Sequence, residues 1–177
     1  MENLVRTALA GLVVTGSLLA VSPVSAAEKH AHGEGQLKLA IEGNKVVIEL
    51  TAPGSDIVGF EHKPSLDADR KAVAAAAAML KDGGALFAFP DKAGCKMQEA
   101  DVHSEMLHDD KHKHGDGDHA EFEVHYSFSC ATPSALTHVD VGYFKAFPRA
   151  HELEVQMITQ KGQGAAELTA SSSRLTF

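Results

Sequence analysis

Between His103 and His125 the chain reads HSEMLHDDKHKHGDGDHAEFEVH, and these residues are the ones best suited to chemistry. His103, His108, His112, His114, His119 and His125 make six of the chain's eleven histidines, interleaved with Asp109, Asp110, Asp116 and Asp118. Neutral imidazole nitrogen binds zinc, copper and nickel, and carboxylate oxygens complete the coordination and offset the cation's charge. The composition therefore points to capture of a soft divalent cation. It does not choose the metal, nor which three or four donors act together. The bland alternative is a solvated acidic linker, but histidine at this density is rare in ordinary loops.

Catalysis fits the same residues poorly. His108 and His112 have an HxxxH spacing, but Asp109 stands where a zincin carries its glutamate, and no apolar helix underlies the pair. No Ser-His-Asp order or glycine-rich phosphate loop stands out, so a zinc-dependent hydrolase is the weakest of the readings and the chain is expected not to be an enzyme.

The elements that must position these donors follow from length and pattern. Of 177 residues, 1–27 read as a secretory signal peptide: Arg6 in a short n-region, an apolar run from Leu9 to Val21, then small residues that fit cleavage after Ala26 or Ala27. Residues 28–177 read as one α+β domain, large enough for a core, with a flexible loop over 103–120. That loop lacks apolar periodicity and is expected to be disordered. No later stretch is apolar enough to span a membrane. A net charge of −8 without a basic cluster argues against nucleic acid as a partner.

Cys95 and Cys130 are the only cysteines. Export to an oxidising compartment predicts a disulfide between them, bracketing the loop and pinching it at its base. Closing roughly 36 residues would be worth about 3–4 kcal/mol in the chain-entropy picture. A pair of thiolate zinc ligands is the competing reading, although no short Cys pair of the zinc-finger kind is present.

Leu37, Leu39 and Ile41 alternate with polar residues, Gly43-Asn44 is a hairpin signal, and Val46, Ile48 and Leu50 continue the period. Pro64, the acidic Asp67 and Asp69, and the run Ala74–Ala78 predict one main helix over about 64–82, with Leu66, Val73, Ala77 and Leu80 on its inner face and Gly83-Gly84 as its stop. Leu86, Phe87 and Phe89 predict a short strand, and Cys95 to Val102 another. The clearest strand contains Phe122, Val124, Tyr126, Phe128 and Cys130, which places His125 on the polar face beside Glu121 and Glu123. Val139, Val141 and Tyr143 predict a further strand, His151, Leu153, Val155 and Met157 another, and Gly162-Gln163-Gly164 a turn. Strands outnumber helices and hairpins are frequent, so the fold class is α+β with a mainly antiparallel sheet. GFEHKP and GYFKAFP suggest two pseudo-related halves joined by the histidine-rich loop.

HAHGEGQLKLAIEG, PGSDIVGFEHKP, the Ala93–Cys95 segment, the His/Asp loop, YSFSC and FPRAHELEVQMITQKGQGAAELT occur in this order. Together they make the mature chain resemble the ZrgA-type periplasmic zinc-uptake proteins. That resemblance implies a periplasmic Zn2+-binding protein that assists high-affinity zinc import alongside an ABC transporter, through its solute-binding protein or permease. It also implies that the HxH stretch of His30 and His32, and the GFEH stretch ending in His62, contribute to a fixed site. His125 continues the loop onto a strand, where a sheet can preorganise a ligand. Glu61, Glu121 and Glu123 could bind or orient imidazoles, whereas His138 and His151 read as surface or packing residues. Periplasmic copper or nickel binding, storage or resistance is the alternative function, because the same donors accept those ions.

Overall fold

Alternation of apolar and polar residues builds the largest element of the fold, seen in a computed structural model that describes residues 33–107 and 120–177. The expected ligands His30, His32, His108, His112, His114, His119, Asp116 and Asp118 lie outside the described residues, as does the expected signal peptide. Strands β1 (Glu34–Glu42) and β2 (Lys45–Pro53) form an antiparallel hairpin around Gly43-Asn44, with Leu39 opposite Ile48. Gly43 adopts the positive φ that such a tight turn demands. Strand β5 (Glu121–Cys130) adds antiparallel to β2, and β4 (Cys95–His103) antiparallel to β5. On the other side β7 (Glu152–Thr159) runs parallel to β1, and β8 (Gly162–Thr169) closes the edge as a hairpin with β7. The sheet order is β4-β5-β2-β1-β7-β8.

One face of this sheet is the core. Leu37, Leu39, Val46, Ile48, Leu50, Phe122, Val124, Tyr126, Phe128, Leu153 and Val155 are all buried there. Full burial of each large aliphatic or aromatic side chain contributes about 1.5–3 kcal/mol relative to exposure. The face is covered by helix α2 (Asp67–Lys81), through Val73, Ala76, Ala77 and Leu80, and by a small sheet of β3 (Phe87–Ala88), β6 (His138–Val141) and β9 (Arg174–Thr176). The Tyr126 hydroxyl donates to the Leu80 carbonyl at 2.7 Å, which satisfies one of the acceptors left open at a helix C-terminus. Phe87 meets Tyr126 and Phe128 edge-on, and so locks the small sheet onto the large one. The α+β class, the mainly antiparallel sheet and the single main helix match the reading of the sequence.

Several local expectations are corrected. The helix starts at Asp67 rather than 64, because the Asp69 carboxylate accepts the amides of Ser65 and Leu66 and fixes the first turn there. That leaves Leu66 64% exposed instead of on the inner face. Leu86 ends a one-turn helix α3 (Gly83–Leu86), in which the Asp82 carboxylate accepts the Ala85 amide as the N-terminal cap. Tyr143 opens the short helix α4 (Tyr143–Ala146) rather than ending a strand. The β7–β8 turn is Gln160-Lys161, and Gly162, at φ 119°, is the first residue of β8.

The Cys95–Cys130 disulfide is formed, but it does not pinch the histidine tract. In the β4–β5 register Cys95 opposes Cys130 at one end and His103 opposes Glu123 at the other. The bond staples the end of the hairpin remote from the tract.

Candidate metal centre

Strand parity sends Gln36, Lys38, Glu49, Thr51, Glu123, His125, Asp101 and His103 to the second face of the large sheet, which is open to solvent. Register then brings together residues far apart in sequence. Asp101, His125 and Glu49 stand side by side on β4, β5 and β2, and the next row holds His103, Glu123 and Thr51. His103 Nε2 lies 2.9 Å from Asp101 Oδ2, and His125 Nδ1 lies 3.7 Å from Glu49 Oε1. The two imidazole rings are 6.4 Å apart, centre to centre. All four side chains are about half exposed. A carboxylate on one ring nitrogen holds the imidazole tautomer and leaves the other nitrogen to a ligand. His103 is thus an oriented donor, whereas His125 stands at ion-pair distance from Glu49, too long for a hydrogen bond; among the described residues no group of three or more His, Cys, Asp or Glu is arranged to hold a metal ion.

The same face is acidic toward the end where the tract leaves the sheet. Glu34 pairs with Glu152, and Glu154 with Glu167. Partial desolvation, together with the carboxylates of Glu167, Glu34 and Glu154, pushes the Glu152 carboxyl above its usual range. Crowded like charges of this kind are relieved by a cation.

A second constellation lies around α1 (Gly54–Ile57), the single turn that follows β2. The Gly54 amide donates to the Ala120 carbonyl, and a Cβ at Gly54 would approach Met106 Sδ to 3.3 Å, so both ends of the tract abut this turn. Asp56, 2% exposed, accepts the Gly33 amide on Oδ1 at 2.9 Å, while its Oδ2 is buried without a partner. Burial pushes its carboxyl up, Glu61 adds to the rise, and the hydrogen bonds from Gly33 and Ser55 and the nearby His151 oppose it. The Gly33 carbonyl accepts the amides of His151 and Glu152. The His151 ring sits where a Cβ on residue 33 would be, 2.6 Å from that ideal position. The Tyr143 hydroxyl, also buried and unpartnered, lies 3.8 Å from the ideal Cβ of Gly35.

The remaining histidines are placed elsewhere. His62 stacks on Phe60 at 4.6 Å, and its Nδ1 donates to the Lys63 carbonyl, which leaves Nε2 as the potential donor to a metal. His138 contacts Thr137 and Asp140 on the small sheet, where Asp140 is bound bidentately by Arg174. Sequence reasoning found His125 through strand parity and missed Glu49, Asp101, Asp56 and the position of His151. Cross-strand register and burial have no local signature, although an Asp two residues after a strand-ending Pro-Gly is visible in PGSD.

The open face carries two imidazoles beside carboxylates, and among the described residues no helix is long and apolar enough to cross a membrane. Residues 29–177 match the model of the ZrgA family zinc uptake protein, and the chain belongs to that family. No curated protein matches the chain. Membership ties the chain to zinc uptake and zinc association, and the family is not an enzyme class.

Proposed function

We propose that this chain is a periplasmic zinc-binding protein that collects Zn2+ through its histidine- and aspartate-rich tract and assists high-affinity zinc import by an ABC transporter, through that system's solute-binding protein or permease. Residues 1–27 act as the export signal, and 28–177 form one zinc-binding domain with its loop over 103–120. The family match begins at residue 29, immediately after the expected cleavage after Ala26 or Ala27, which supports that division.

The observation that carries the reading is the convergence at the tract end of the sheet. The strand ends that bear His103 and Glu121, the start of β1 to which His30 and His32 lead, and the Glu34–Glu152–Glu154–Glu167 carboxylates all gather there. His103, His108, His112, His114, His119 and His125, with Asp116 and Asp118, supply the first donors, and His30, His32 and His62 extend the set. Exchangeable donors beside an acidic surface favour fast capture and release over deep trapping, as delivery requires. The same ligands would take copper or nickel, and copper has the higher intrinsic affinity; the family match is what supports zinc as the cargo.

Calorimetric titration of zinc into the chain tests this. Saturable binding at pH 7 should fall in stoichiometry when His108, His112, His114 and His119 are replaced by asparagine, and should weaken as pH drops through about 6.5, where imidazoles protonate. A chain that leaves zinc free at neutral pH, with its disulfide intact and its fold unchanged, would end the proposal.

A further inference from the structure

The two edges of the large sheet are defended unequally. Strand β4 carries a register shift between Met97 and Glu99 and the charged Lys96, Glu99 and Asp101, devices that keep an edge from pairing with another chain. Strand β8, GQGAAELT, is eight residues long, pairs with β7 without a shift and holds no lysine, arginine or proline. Its ladder phase is fixed at one end, where Thr169 exchanges amide and carbonyl with Ser172 at 3.2 and 3.1 Å and so faces away from β7. Alternation along an antiparallel strand turns the amides and carbonyls of Glu167, Ala165 and Gln163 the same way. Among the described residues no backbone hydrogen bond from outside the β7–β8 ladder reaches these groups. All three residues are exposed, and Ile158, which faces Gln163 from β7, is 57% exposed.

We propose that a second copy of this chain pairs antiparallel with β8 across a two-fold axis at Ala165, joining the two large sheets into one. In that register Ala165 faces the partner's Ala165, and Glu167 faces the partner's Gln163, a carboxylate against an amide donor. The diagonal neighbour of Glu167 is then the partner's Lys161, from the β7–β8 turn, at a separation a long side chain spans. Glu167 belongs to the crowded carboxylates around Glu152, whose mutual repulsion an ammonium group relieves. Other registers are worse. A two-fold axis at Glu167 sets carboxylate against carboxylate and places Ala165 opposite the partner's Thr169, whose outward groups Ser172 already occupies. On the inner face Gly164 meets the partner's Ala166, and both are small enough for close approach. The contact is isologous, so one pairing uses up both β8 edges and leaves only the defended β4 edges, and assembly stops at two copies. Nothing in it depends on zinc.

The test follows the full chain by sedimentation velocity across a concentration series, with a chelator present so that no metal bridges the copies. A concentration-dependent dimer should appear. Ala165→Pro should abolish it, because the ring removes the amide at the axis, while the β7–β8 ladder, which does not use that amide, should keep its circular dichroism. Glu167→Lys should raise the dimer dissociation constant roughly 10-fold, since the two-fold axis repeats the lost pair, and adding Lys161→Glu should return it toward the unaltered value. A chain that stays monomeric at its highest soluble concentration overturns the proposal and leaves the edge to water or to an extended segment of another protein. A dimer that survives Ala165→Pro with the fold intact overturns it as well. Should Ala165→Pro unfold, the charge exchange decides alone, because Lys161 and Glu167 are both exposed; a second substitution that fails to restore what the first removed refutes the pairing.

Discussion

Replacing Cys95 and Cys130 together by alanine separates the contribution of the disulfide to the fold from any contribution to metal binding. Strand β4 is nine residues long, so Cys95 and His103 stand about 26 Å apart at roughly 3.3 Å per residue. No donor at the tract end depends on the bond. In the unfolded chain, however, it closes a loop with a sequence separation of 35, and the chain-entropy relation turns that into about 4 kcal/mol at 25 °C. Urea unfolding of the oxidised chain, the reduced chain and the double variant measures the loss. With a slope near 2 kcal/mol/M, the midpoint should fall by about 2 M in both perturbed forms. Zinc titrated into each below its unfolding transition should show the same stoichiometry throughout. A drop in stoichiometry with the fold intact would refute the separation of staple from site. An extra equivalent in the reduced chain, absent from the alanine variant, would revive the thiolates as ligands.

Tyr126→Phe leaves the Leu80 carbonyl without its donor in an apolar setting, and should cost about 1–3 kcal/mol of stability in the same unfolding assay; a neutral result would mean that water reaches the carbonyl. Gly54→Ala should destabilise by about 1–3 kcal/mol, because the new Cβ would lie 2.5 Å from the Ala120 carbonyl oxygen and 2.7 Å from that of Phe60, both backbone atoms that cannot rotate aside. The Arg174 guanidinium beside Asp140 holds its carboxyl below the usual range. Its contribution to folding should therefore be present above the ordinary aspartate value and lost as pH falls through the lowered one. Carboxyl carbon NMR should show Asp140 titrating low, and Arg174→Gln should return it to normal; an Asp140 that titrates normally in the unaltered chain contradicts the ion pair.

Where burial alternates strictly, the sequence is enough. β1, β2, β5 and β7 were visible because their inner residues recur every second position, and Gly43-Asn44 marked the turn between the first two. The same parity put His125 on the open face. Errors arose where parity continued past the end of a strand. Tyr143 keeps the phase of Val139 and Val141, but Gly142 packs against the Ala85 carbonyl, 2.6 Å from its ideal Cβ, and the chain turns into α4 instead. Gly162-Gln163-Gly164 looked like a turn by composition, yet the two residues before it suffice for the hairpin. The candidate site was half legible for a related reason. Donor types and their density are sequence properties, and Asp101 and His103 share a face as i and i+2 on one strand, whereas the pairing of Glu49 with His125 and the burial of Asp56 are set by which elements become neighbours.

The carboxylates of the open face carry a consequence for speed. Six strands at roughly 4.8 Å spacing make this surface about 24 Å wide. At an ionic strength of 0.01 M the screening length is about 30 Å, and the whole width then acts on an approaching cation as a single attractor. At 0.15 M that length shrinks to about 8 Å, so each pair of rows pulls alone. Ion arrival should accordingly quicken in dilute media, when free metal is also scarcest, while the departure rate, set by contact with nitrogen and oxygen, should hardly change.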